Sequence, residues 1–192
     1  MYINHRSDDS RNANNVGRFV DSPNESIWTT SWKTYWSIID RCNLILDKID
    51  NAEFTNEERR DYIKGEAYML RAYAYWSLGW QWGGVPLITK TTPLAEIRKI
   101  PRSTQEVTLG QAISDYKEAI RLLPEEWGTN DIGRATRYAA AGMLGRLYMF
   151  QNNFEDARTY LKMVVDQESV RYEMEKKYED CFIDSKDNGK ER

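Results

Sequence analysis

Polar and turn-forming residues dominate the first two dozen positions, and helical spacing takes over after them. Residues 1–24 carry Ser7-Asp8-Asp9-Ser10, Asn12, Asn14, Asn15, Gly17 and Ser22-Pro23-Asn24, which predicts a long polar loop. Loops of that length in compact domains are usually functional or unstructured. From Ile27 to Ile49, Trp28, Trp32, Tyr35, Ile38, Ile39, Cys42, Ile45, Leu46 and Ile49 recur at three- and four-residue steps, the stripe of an amphipathic helix. Thr55, with Glu58 three residues on, predicts a capping box for a second helix over 57–80. Gly83-Gly84-Val85-Pro86 ends that helix. Residues 85–101, with three prolines, read as an extended connector. Ser103 or Thr104 caps a third helix over 104–123, and Pro124 stops it. A fourth helix is expected over 135–150 and a fifth over 154–165, with a short break at Asn152-Asn153.

The last two helices carry a more specific pattern. Leu144-Gly145, Tyr148, Asn152, Phe154, Ala157 and Leu161 follow the spacing of one tetratricopeptide repeat. Gly145 and Ala157 let two helices touch while Tyr148 and Phe154 fill the space around them. A helix pair of this kind cannot bury its apolar face alone, so neighbours must stack on it. The fold class is therefore all-α: antiparallel, TPR-like helix pairs in an α-solenoid-like, right-handed stack with long loop insertions. Residues 1–24 are the polar loop, 25–167 the stacked pairs and 168–192 an irregular C-terminal segment.

Composition narrows the chemistry. The net charge of the 192 residues is −3 with 30% charged side chains. No basic stripe points to nucleic acid. Cys42 and Cys181 are far apart, and the lone His5 sits in the polar start, so no metal-ligand spacing exists. The cysteines read as small buried hydrophobes. No P-loop, nucleophile elbow or dinucleotide fingerprint appears. Adjacent carboxylates such as Glu57-Glu58 and Glu125-Glu126 read as solvated helix starts and turns. A glycosidase instead needs two that face each other about 5 to 9.5 Å apart. The chain reads as a binding protein without catalytic residues, metal or cofactor. Seven Trp and twelve Tyr suit helix packing and flat binding surfaces equally. The start has no apolar h-region, and no run is long enough to span a bilayer.

Taken in order, several blocks resemble the SusD/RagB family of outer-membrane nutrient-binding lipoproteins. Trp32, Tyr35 and Ile38 followed by Cys42-Asn43 and Ile45-Leu46 are similar to that family's first long helix. Gly65-Glu66-Ala67-Tyr68-Met69-Leu70-Arg71-Ala72 is similar to its most distinctive stretch, leading to Gly84-Val85-Pro86-Leu87. Arg102-Ser103, Glu106-Val107, Asp115-Tyr116 and Leu123-Pro124 resemble the next segment. Gly133-Arg134-Ala135-Thr136 before Ala139-Ala140, and finally Tyr178 and Phe182, resemble those that follow. The blocks span roughly residues 30 to 182 in the family's order. Family members are considerably longer, so the resemblance implies a chain short at both ends. The signal peptide and lipid-bearing cysteine would be missing in front and a ligand-lining part behind. Uncovered apolar helix faces would then favour self-association.

The resemblance implies a lipid-anchored protein on the extracellular face of a Bacteroidetes-type outer membrane. Such a protein binds oligosaccharides, of starch or other polysaccharides, or peptides in some branches. It lids a SusC-like TonB-dependent transporter. The competing reading is a helical-repeat scaffold or peptide-binding protein with no carbohydrate ligand, against which the long Pro-rich connector argues. In glycan-binding members, the segment after a Ser-Asp-Asp stretch contributes to the ligand face, often with an aromatic residue. Here Ser7-Asp8-Asp9 matches but residues 10–18 hold no Trp or Tyr. Arg11, Asn14, Asn15 and Arg18 remain as hydrogen-bonding candidates, weighed against a solvated loop. Trp28 either offers a ring to ligand or staples the helix start. Trp76, Trp80 and Trp82 are expected in core or interhelix packing, and Glu66 and Arg71 are expected to anchor loops or helix ends.

Overall fold

The computed structural model describes residue 22, residues 26–168 and residues 170–172. Six α-helices follow one another: α1 Ser26–Lys48, α2 Glu57–Trp82, the single turn α3 Leu94–Ile97, α4 Gln105–Leu122, α5 Arg137–Phe150 and α6 Phe154–Val165. Short 3-10 turns at Ile49–Asn51 and Thr129–Asp131 complete the elements, and no strand occurs among the described residues.

Each boundary has a local cause. The α2 cap is Asn56, whose side chain accepts from the Glu58 amide, one residue later than the Thr55 expected from the sequence. Asn fills the same acceptor role as Thr and is among the best caps. Thr104 caps α4 through the Val107 amide, Thr136 caps α5 through Ala139, and Asn153 caps α6 through Asp156. Gly83 ends α2 with a φ of 76°, and Asn152 takes a φ of 58° in the α5–α6 turn, a region open to Gly and tolerated by Asn.

The long helices pack in chain order: α1 on α2, α2 on α4, α4 on α5 and α5 on α6. Short connections make α5 and α6 an antiparallel pair, the TPR-like unit. A Cβ on Gly145 would lie 2.6 Å from Leu161 Cγ, so the glycine sets how closely α6 approaches. The core joins Ile39, Tyr75, Leu78, Tyr116, Leu123, Leu144 and Leu147 with a run of alanines on α2, α4 and α5. α2 lies between α1 and α4 and is buried around most of its circumference in its second half. α3 interrupts the connector that reads as wholly extended from its prolines, with Pro93 as its N-cap residue.

Candidate functional site

α1 begins, and α2 and α5 end, at one end of the bundle, and that end is aromatic. Trp32 on α1 meets Trp36 and Trp82 edge-on, with ring centroids 5.6 and 5.4 Å apart. Tyr35 reaches Tyr73 and Trp82, and Tyr73 reaches Trp76. Phe150, the last residue of α5, lies 6.0 Å from Trp76 and 4.4 Å from Trp80. Rings at these distances and tilts attract one another beyond their area burial. Trp76 is 7% exposed and belongs to the core, but Trp80 is 56% exposed, Phe150 42% and Tyr73 40%. Trp80 thus packs between helices, on Phe150 of α5, without entering the core. Its ring stands on the one stripe of α2, with Leu70 and Tyr73, that α1 and α4 leave uncovered. Arg146 on α5 holds its guanidinium 5.2 Å from the Trp76 ring and 6.0 Å from Phe150.

Behind this end, buried polar groups fix the connector that leaves α2. Arg71, 5% exposed, forks onto Asp115 with two bonds of 2.8 Å. Its remaining terminal nitrogen donates to Asn43 Oδ1 and to the Thr89 carbonyl, both at 2.8 Å. Asn43 donates to the Ile88 carbonyl, and the Tyr75 hydroxyl both accepts from the Ile88 amide and donates to its carbonyl. Burial pushes the Tyr75 phenol up to about 12, so it keeps the proton it donates. Burial also lifts the Asp115 carboxyl above its usual value, while the Arg71 fork and Gln111 pull it back. Backbone groups in an irregular buried segment need such partners, and Arg71 supplies one as the sequence leads one to expect. Cys42 is buried beside this network, its thiol pushed up to about 11 by desolvation.

The opposite end is built differently. The 129–131 turn is clamped to α2: Arg59 forks onto Asp131, and Arg134 pairs with Glu66 at 2.8 and 2.5 Å. Both guanidinium groups face the Trp127 ring, 5.7 and 4.8 Å from its centroid, and its indole N–H donates to the Ala135 carbonyl. Trp127 is thus committed to the turn. Beside it opens a groove of about 1310 Å³ whose lining includes Met69, Ile132, Tyr138, Val165, Val170 and Tyr172. Ile132, Val165 and Val170 are 59, 62 and 68% exposed.

Of the residues singled out in the sequence, Arg11, Asn14, Asn15 and Arg18 lie outside the described residues, as do His5, Cys181, Tyr178 and Phe182. Trp28 is half-buried on the first turn of α1. Sequence reading missed Tyr73, Arg146 and Phe150. The signal was available in the phase of α5, where Arg146, Met149 and Phe150 fall at i, i+3 and i+4 opposite Leu144, Leu147 and Tyr148. Among the described residues no cluster of His, Cys, Asp or Glu could hold a metal, and no helix is long and apolar enough to cross a membrane.

A family model described as starch-binding associating with outer membrane matches residues 3–149, well over half of the sequence. The chain belongs to this SusD-like family. A SusD-like protein of Formosa agariphila is 29% identical over 137 residues, which is 71% of this chain and 26% of that protein. A SusD-like protein of Bacteroides fragilis shares the fold with a TM-score of 0.84 at 23% identity, over 97% of this chain and 37% of its own. A laminarin-binding SusD-like protein gives a TM-score of 0.84 at 23% identity, over 92% of this chain and 39% of its own. The chain thus spans about a third of the length of these relatives. The family's ordered sequence blocks acquire physical roles here: Glu66 and Arg134 clamp a turn, and Arg71 and Asp115 hold the connector.

Proposed function

We propose that this chain is the helical part of a surface glycan-binding lipoprotein that captures nutrient for a SusC-like TonB-dependent transporter. Its ligand is an oligosaccharide of starch or a related polysaccharide. It sits lipid-anchored on the extracellular face of the outer membrane and binds without cleaving. The family match over residues 3–149 carries this reading. The name of the laminarin-binding relative supports the ligand class. The aromatic end of the bundle adds the large flat surfaces with polar handles that sugar rings use.

The test is a calorimetric titration of the complete gene product against starch-, laminarin- and other polysaccharide-derived oligosaccharides, followed by chromatography of the incubated glycan. Saturable heat with an uncut glycan is the expected result. Silence across the panel, or shortened products, would overturn the proposal. Binding of peptides alone would move the protein to the scaffold or peptide-binding class.

A further inference from the structure

We propose that the corner formed by Trp80 and Phe150, with Arg146 beside it, is a stacking site for a hexopyranose ring of an oligosaccharide; this rests on the glycan-binding reading above. The two rings meet at 4.4 Å with an interplanar angle of 51°, which makes a shallow angled seat. Both present more than two-fifths of their surface to solvent, and Tyr73 extends the seat at 40%. Trp76 backs it from the core, 6.0 Å from Phe150 and 6.2 Å from Tyr73. The seat is thus an outcrop of a rigid aromatic cluster, and it loses little side-chain entropy on binding.

One polar feature selects the occupant. Arg146 is exposed, stands over Trp76 and makes no ion pair among the described residues, so its guanidinium N–H groups can donate to a bound ligand. A hydroxyl-rich ligand can accept from them directly or through a bridging water; an apolar partner cannot. Size points the same way. Three half-exposed aromatic side chains offer roughly 300 Å², short of the about 800 Å² per partner of a stable protein interface but matched to one or two sugar rings.

The experiment uses the complete gene product and the oligosaccharide that binds it best in the panel above. Trp80→Ala and Phe150→Ala are each expected to weaken binding about tenfold, with a lowered melting temperature from the buried half of each ring. Arg146→Gln weakens it without removing a ring, and guards against a folding defect in the aromatic variants. Leu94→Ala, 64% exposed on α3, serves as the control and should bind as wild type. If wild type binds a glycan and Trp80→Ala, Phe150→Ala and Arg146→Gln all match it, this site is refuted while the glycan-binding reading stands. If wild type binds no glycan, both fall.

Discussion

Arg71 shows how much one side chain carries in this fold. It spends its guanidinium on Asp115, Asn43 and the Thr89 carbonyl, so helices α1, α2 and α4 and the connector all converge on it. Removing one partner of a buried ion pair leaves an uncompensated charge. Arg71→Ala should therefore destabilise by about 3–5 kcal/mol in urea unfolding, and Asp115→Ala by a similar amount. Replacing the pair together, Arg71→Met with Asp115→Leu, removes both charges and should recover only part of the loss. The Thr89 carbonyl and Asn43 would still lack their donor, at about 1–3 kcal/mol for an unsatisfied buried group. Full recovery in the double variant would show that the pair matters only as two charges and that the connector is held by something else.

At the scale of elements, carboxylates on helices and turns tie neighbouring segments down, and two of them predict a pH response. Asp47 on α1 accepts from the Thr91 amide at 2.6 Å, and hydrogen bonding to the Thr91 side chain first, then to its backbone, holds the carboxyl below the ordinary 3.8. Arg59, then Arg134, does the same for Asp131. A carboxyl depressed in the folded chain contributes its full stability above its unfolded value and loses it as pH falls through the folded value. Melting temperature should thus drop through these groups as pH falls below about 4. Calorimetric melts of the Asp47→Asn, Asp131→Asn double variant should show a smaller drop than wild type; an equal drop would place the acid sensitivity elsewhere. The helices themselves were legible because apolar spacing and caps are local: five long helices lie within two residues of the spans their periodicity predicts. α3 was hidden by prolines that read as extension, and Asn56 displaced Thr55 as cap because either residue can do the work. The site was less legible. α2 is buried on nearly all sides, so no apolar stripe sets Trp80 apart from Trp76. Arg71 and Asp115 are 44 residues apart, and local spacing says nothing about such a pairing.

Across the whole molecule, the two ends of the bundle differ in a way that bears on association. The aromatic end is tightly interlocked, and its exposed part is small. The opposite end opens an apolar groove between α5, the 129–131 turn and the end of α6, with Ile132, Val165 and Val170 on its rim. Stacked helix pairs ordinarily cover such faces with the next pair, and the chain spans about a third of its relatives' length. Uncovered apolar patches of this kind drive association. The 192-residue chain on its own should therefore show a sedimentation coefficient that rises with concentration. Val165→Glu and Val170→Glu together should suppress the rise, because each places a charge on the groove rim where burial against a second surface would strip its water. Both side chains are mostly exposed, so the melting temperature of the variant should stay close to that of wild type. Association that persists in this variant would move the sticky surface to the other end, where Trp80→Ala is the substitution that distinguishes the two.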